Sequence, residues 1–593
     1  MKRALGALTV VWLIASCGVE TVPAASKTDV SVSRSSTLLL NSDESSLWVV
    51  SPDDDRVIEL DPNTLAMRRT LSVSGAPGAI AWAGDRLVVS RSLAPSIGVI
   101  DVSTGGLTEV AIPCSGASGV VTNGEDVFVN CRDDVRVARV SLLDATPVWW
   151  SVTRPVDGMI RIGSRLWIAG GGALYNIRIG HALDNPAASL ETLADTTEQL
   201  APDQRHSASQ IRAIDVGPDG APIVVFQAVQ NDGDRERDPQ TGGYGSVHEG
   251  EPRLQPRVAG PCGGYYATFD GGERVFSGPA AARWVGGTLW VTHQYTQNVA
   301  VLSCNADDEL ALVKVFRAGA GAAGIAVSTD EKTAWVDLAF EGGVARLSLD
   351  GGAEPPHVRR RPVTALRWSD QALEGRRLFH DARRSQLTSA GVVTCASCHP
   401  DGGEDGLGWF IHTPTIAPKF RRTPPAWMGR SDLLPLHWDS EFKDARELVG
   451  ETVAQLMGGT GNLVDLDSIV AYMGEIPLPG VPATDSEAEW LCRERGAQVF
   501  EAAACRTCHT GPQFSDGLAH TIRLAPSDPD GLVGPVQTPS LLGVRARAPW
   551  LHDASALTLS GVWTDHDPEG RHGLAATLPT PEFDALICYL KSL

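Results

Sequence analysis

From about residue 36 to residue 350, short apolar runs alternate with turn residues. Leu47-Trp48-Val49-Val50, Leu87-Val88-Val89-Ser90, Val127-Phe128-Val129-Asn130 and Leu166-Trp167-Ile168-Ala169 start 40, 40 and 39 residues apart. Each is followed by a turn and a second strand-like run, as at Arg56–Asp61 and Ile97–Asp101. Later copies begin near Ile223, Leu289 and Ala334. A period near 40 with four short strands per unit predicts a β-propeller, because no blade can bury both its faces alone. Seven starts predict about seven blades over 36–350. A pair of β-sandwiches is the alternative, but sandwiches rarely repeat at this period. The stretches 170–220 and 229–285 are rich in Gly, Asp, Pro and Gln, and read as long loops inserted on one face.

At 351–363 the pattern breaks. Gly351-Gly352, Pro355-Pro356 and Arg359-Arg360-Arg361 predict an exposed linker. Beyond it, strand alternation gives way to helical spacing, as in 581–593, where Phe583, Leu586, Ile587 and Leu590 share one face. Two mainly α domains are expected, 364–480 and 481–593.

Composition adds little about fold: 593 residues, 43% hydrophobic and 20% charged, suit a soluble multidomain chain. The net charge of −21 argues against wrapping nucleic acid, which needs a basic face. The N-terminus reads as an export signal over 1–17, followed by a linker over 18–35. Lys2 and Arg3 precede a 13-residue apolar run, too short to span a bilayer, and Ile14-Ala15-Ser16-Cys17 matches a lipobox. Lipidation at Cys17 would tether the protein to a membrane surface facing the periplasm or exterior, with the outer membrane favoured by Gly18. A plain signal peptide that happens to contain a cysteine is the alternative.

Two short motifs carry the chemistry. Cys395-Ala396-Ser397-Cys398-His399 and Cys505-Arg506-Thr507-Cys508-His509 both read C-x-x-C-H. Two thiols at this spacing attach to the vinyl groups on one porphyrin edge, and the adjacent His ligates the iron. Two covalent heme c groups are therefore expected, with Cys395, Cys398, Cys505 and Cys508 as attachment sites and His399 and His509 as proximal ligands. A zinc ribbon wants paired C-x-x-C motifs without the attached His. Six cysteines remain, Cys114, Cys131, Cys262, Cys304, Cys492 and Cys588, an even number that suits disulfides in an oxidising compartment. Pairs within predicted domains (114–131, 262–304, 492–588) are favoured, although sequence leaves the connectivity open. The heme region also echoes itself. Gly375-Arg376-Arg377-Leu378-Phe379 precedes the first motif and Gly496-Ala497-Gln498-Val499-Phe500 the second. Downstream, Thr423-Pro424 leads to Pro435-Leu436-His437-Trp438-Asp439, and Thr538-Pro539 to Pro549-Trp550-Leu551-His552-Asp553.

On these residues, with Leu373-Glu374 and Leu541-Leu542-Gly543-Val544, the segment 364–593 resembles the di-heme cytochrome c peroxidase family that includes MauG-type enzymes. The propeller resembles the YVTN/NHL type at the level of pattern. The resemblance implies a peroxide-reacting first heme and an electron-transfer second heme, with Trp438 relaying electrons between them. It places the peroxidatic Glu near Met457-Gly458-Gly459, where this sequence has no carboxylate, so Glu451 and Gln455 are the nearest substitutes. It places the second heme's distal ligand at His566. The other local candidates are His520, His552 and His572, and His412 is a candidate sixth ligand for the first iron.

Three functions follow as expectations: a peroxidase-like heme oxidoreductase, an electron-transfer cytochrome with both irons six-coordinate, and a propeller-based binding module wired to a redox chain. The partners expected are a redox protein, a membrane surface through the lipid anchor, and a protein or polymer on the propeller.

Overall fold

The computed structural model describes residues 32–593 apart from 145, 153–154, 171–172, 179–189, 193–205, 231–246, 249–250, 261, 263–264, 267–273, 350–356, 361–366, 390, 412–418, 423, 430–432, 462–464, 481–485, 523–534 and 568. Cys17 with the signal segment, and His412, lie outside the described residues. Seven antiparallel sheets, each built around four strands, follow one another from Leu38 to Arg360. The seven runs that set the repeat fall in the same place in every blade, the second of the four strands: Leu47–Ser51, Arg86–Arg91, Asp126–Cys131, Arg165–Gly170, Pro222–Gln230, Thr288–His293 and Thr333–Leu338. That strand is the most apolar because both its faces are covered by neighbouring blades. Val49, Leu87, Val129 and Leu166 are accordingly fully buried.

Three sequence expectations change. The linker expected over 18–35 contains a strand, Val32–Arg34, which pairs with Gly158–Ile162 and gives the fourth blade a fifth strand. The linker expected over 351–363 contains His357–Arg360, the outer strand of the last blade, paired with Gly343–Ser348. The long loops expected over 170–220 and 229–285 are in good part strand, including His206–Val216 and Leu254–Ala259. Polar strand residues such as Ser207, Ser209, Gln210 and Gln255 concealed these edges in a one-dimensional reading, although Ser209, Gln210 and Gln255 are all buried. A cavity of about 890 Å³ between the propeller and the helical region is lined by Arg34, Arg161 and Arg283, with Asp401, Trp427 and Leu478 from the helical side.

The helical region is built twice from one plan. Helix Asp370–Phe379 crosses Leu466–Glu475, and helix Glu487–Ala502 crosses Thr580–Leu590. Both crossings turn on a glycine. A Cβ on Gly375 would lie 1.8 Å from Ser468 O, and one on Gly496 would lie 2.0 Å from Ala585 O. Backbones that close admit no larger residue. Each glycine sits four residues before a buried phenylalanine, Phe379 or Phe500. Disulfides join Cys114 to Cys131, Cys262 to Cys304 and Cys492 to Cys588, with Cα–Cα separations of 5.4, 5.8 and 6.2 Å. The last ties the two terminal helices together. Among the described residues, no helix is long and apolar enough to cross a membrane.

Candidate heme sites

The first C-x-x-C-H motif opens a short helix, Cys395–Cys398, at whose start the Thr394 backbone N–H donates to Ser397 Oγ at 3.0 Å. Cys395 and Cys398 are free thiols, and with His399 they line a cavity of about 450 Å³. Its walls are largely apolar, from Phe379, Val393, Leu436, Leu456, Ile469 and Met473. A volume of this size with two thiols and an imidazole in the wall fits a covalently attached porphyrin. His399 Nδ1 lies 3.3 Å from Gly403 O, which leaves Nε2 as the free nitrogen. Burial pushes this imidazole's pKa down to about 4, so it is neutral near pH 7 and keeps a lone pair to donate. Phe379 stands 6.2 Å from the His399 ring.

Two carboxylates of one helix reach this cavity, of which only Glu451 is expected from the sequence. Glu447 and Glu451, one turn apart on Ala445–Glu451, both line it. The helix then loosens into a π-helical turn, Thr452–Leu456, a feature common at functional sites. Gln455 lies in that turn, but Thr452 and Leu456 supply the turn's part of the wall. His437, in a left-handed conformation (φ 69°), also lines the cavity, with Nδ1 3.2 Å from Glu441.

The duplicated loops meet between the two motifs. Trp438 and His552 pack edge-to-face with ring centres 6.2 Å apart. Each loop also accepts a backbone hydrogen bond from the other half: Arg422 N donates to His552 O and Gln537 N donates to Trp438 O, both at 2.8 Å. Trp438 Nε1 donates to Arg422 O at 2.9 Å. Beside them, buried Arg422 donates to Glu404 at 2.6 Å and also to Arg547 O. Trp438 thus sits at the join of the two halves.

The second motif is differently enclosed. Cys505 and Cys508 are free thiols, and Cys505 packs against the core that holds Phe500, Trp563 and Leu586. His509 Nδ1 lies 3.0 Å from Phe514 O, again leaving Nε2 free, and burial pushes its pKa down to about 4. The ring facing His509 is that of His572, 6.1 Å away between centres. The other histidines named from sequence are engaged elsewhere. His566 Nδ1 is 3.5 Å from Ser555 Oγ, His520 Nε2 is 2.7 Å from Asp516, and His552 faces Trp438.

No sequence motif marks Gln210, Tyr295, Arg132 or Arg212 as neighbours of the first C-x-x-C-H segment. The propeller holds the back of the first motif. Gln210 Nε2 donates to Ser397 O at 2.8 Å and to Ala396 O at 3.3 Å. The Tyr295 hydroxyl lies 2.7 Å from Gln210 Oε1 and 2.9 Å from Ala396 O. Gln210 has φ of 51° at a break in strand register between Ser209 and Ala213, a bulge that re-aims its side chain. Two residues beyond His399, Asp401 receives Arg132 at 2.7 Å and Arg212 at 2.6 Å, both from propeller blades. The two arginine guanidiniums beside Asp401 hold its carboxyl well below the usual carboxylate range.

No protein-family model matches the chain. Among curated proteins it is similar to the methylamine utilization protein MauG of Methylorubrum extorquens, 27% identical over 263 residues covering 36% of this chain and 72% of that one. It is also similar to the cytochrome-c peroxidase IdrP2 of Denitromonas iodatirespirans, 24% identical over 338 residues covering 44% of this chain and 90% of that one. The chain carries a MauG-like segment fused to a seven-bladed β-propeller. Among solved structures, Kuenenia stuttgartiensis hydrazine synthase matches at 16% identity over 53% of this chain and 95% of that chain, with a TM-score of 0.41. In the MauG-like segment both C-x-x-C-H motifs keep their thiols free and their imidazoles neutral, one beside a cavity and one against a second imidazole.

Proposed function

We propose that this chain is an exported di-heme c-type oxidoreductase of the cytochrome c peroxidase type, reacting with peroxide or an oxidisable substrate at the first motif and passing electrons through the second. The observation that carries this reading is the asymmetry of the two motifs. His399 and its thiols line a roomy cavity with Glu447 and Glu451 in the wall, whereas the His509 ring faces another imidazole. Cys395 and Cys398 would hold one heme c with His399 as its ligand, and Cys505, Cys508 and His509 the other. The hemes supply one-electron redox chemistry and, at the more open site, an iron that peroxide can reach. The chain's residues do the rest. Glu447 and Glu451 are placed to move protons, since reducing one hydrogen peroxide to two waters consumes two protons and two electrons. The apolar wall limits water around the reacting oxygen, and Trp438 lies between the two halves on the electron path. The electrons come from a redox protein, and the lipobox at Cys17 supports tethering outside the cytoplasm.

The test is electron paramagnetic resonance of the holoprotein, with heme content measured first. Two hemes per chain, with a high-spin ferric signal that disappears on adding peroxide, is the expected result. Two low-spin signals that ignore peroxide would leave an electron-transfer cytochrome and end the peroxidase reading.

A further inference from the structure

Where the resemblance expects the second heme's distal ligand, the chain offers His566, but the fold turns a different histidine toward His509. Two imidazoles sharing one metal ion on a common axis have ring centres on the order of 6 Å apart, given metal–nitrogen bonds of about 2 Å each. The His509 and His572 rings stand 6.1 Å apart. His509 Nδ1 is held by the Phe514 carbonyl, so its free nitrogen is Nε2. His572 Nδ1 is buried and has no hydrogen-bond partner, a costly arrangement for an imidazole unless the ring has something else to bind.

The loop that presents His572 is firmly built. The buried Asp567 carboxylate accepts from the backbone N–H of Arg571 at 2.8 Å and of His572 at 2.7 Å. Trp563 stacks on the His572 ring, 5.6 Å between centres with planes 21° apart, and its Nε1 donates to His572 O at 3.0 Å. Gly570 and Gly573, with φ of 69° and 72°, let the chain turn on either side. Leu574 N then donates to Ala503 O, two residues before Cys505, so the loop is pinned to the motif it faces.

We propose that His572 is the second axial ligand of the heme held by Cys505, Cys508 and His509, making that centre bis-histidine and closed to exogenous ligands. The proposal rests on a heme being bound at the second motif. Near-infrared magnetic circular dichroism and electron paramagnetic resonance of the full-length ferric holoprotein, with heme content measured in parallel, read the ligands directly. The unmodified protein is expected to show a bis-imidazole low-spin signature for one heme. His572→Ala should convert that heme to high spin, with added imidazole restoring low spin, and His572→Met should move its charge-transfer band to the histidine–methionine position. His566→Ala should change nothing. A low-spin signature that survives His572→Ala, or is lost in His566→Ala, overturns the proposal. Should His572→Ala fail to hold heme, absence of the bis-imidazole signature in the unmodified protein overturns it equally. A chain with no heme at the second motif overturns both readings, whereas two hemes without that signature overturn this one alone.

Discussion

The Gln210 amide is the most exacting link between the propeller and the first motif. Replacing it with alanine removes donors to Ser397 O and Ala396 O and the acceptor facing Tyr295. Gln210 and Tyr295 are 4% and 1% exposed, so water does not readily replace what is lost. The Tyr295 hydroxyl still has Ala396 O, but Ser397 O loses this partner. Two buried hydrogen bonds lost and one carbonyl left bare come to about 3 kcal/mol. Alanine inherits the same positive φ, so backbone strain nearly cancels in the comparison. If the interface opens as a local unit, its opening constant rises by roughly 100-fold, since about 1.4 kcal/mol is a factor of ten. Hydrogen exchange with mass spectrometry on the holoprotein measures this in peptides spanning 392–403 and 207–216. Both should exchange about 100-fold faster in Gln210→Ala, while peptides in the helix Thr580–Leu590 should not change. Tyr295→Phe should have a smaller effect, and the double variant should fall short of the sum because the two side chains are bonded to each other. Unchanged exchange at 392–403 would refute the idea that the propeller holds the first motif in place.

Three further outcomes follow. Glu447→Gln and Glu451→Gln should lower peroxide turnover, the double variant by roughly 100-fold or more, with heme content and spectra retained; full activity in the double variant, by steady-state oxidation of a reduced cytochrome, removes both residues from proton transfer. Cys492→Ser with Cys588→Ser opens a crosslink spanning 96 residues and should destabilise the unit built on helices Glu487–Ala502 and Thr580–Leu590 by about 2–5 kcal/mol, read as earlier loss of the Soret band in denaturant; an unshifted midpoint counts against the crosslink. Burial pushes the Asp405 carboxyl up to about 7, opposed in part by the N–H donors of Leu407 and Trp409. In an unfolded chain it ionises near about 4. Between those values the folded protein keeps a proton that the unfolded chain has lost, so this contribution to stability shrinks as pH rises through the window. Thermal midpoints should therefore fall between pH 4 and 7 more steeply in the native protein than in Asp405→Asn, and equal slopes would show that Asp405 does not titrate there.

Some of this protein is written locally. The second strand of each blade is legible at a period of 40 because it is apolar on both faces in every copy, and burial by neighbours demands that wherever the blade sits. The C-x-x-C-H motifs are equally local, since attachment chemistry fixes the spacing of two thiols and an imidazole within five residues. The paired Gly–Phe segments and the two T-P echoes are legible for the same reason, each being one turn of chain repeated. What the tertiary structure decided lies between segments. Gln210 and Asp401 are 191 residues apart, and nothing near either one shows that both serve the first motif. Edge strands such as His206–Val216 and His357–Arg360 read as loops or linker because they are polar and short of apolar alternation; in the first of them buried Gln210 takes partners from another blade and from the helical region. His572 is six residues from His566, and position in an alignment favours the latter. Only the turn held by Asp567 and stacked by Trp563 selects which of the two faces His509. Covalent attachment is set by spacing along the chain, whereas axial ligation and domain docking are set by directions in space that spacing does not encode.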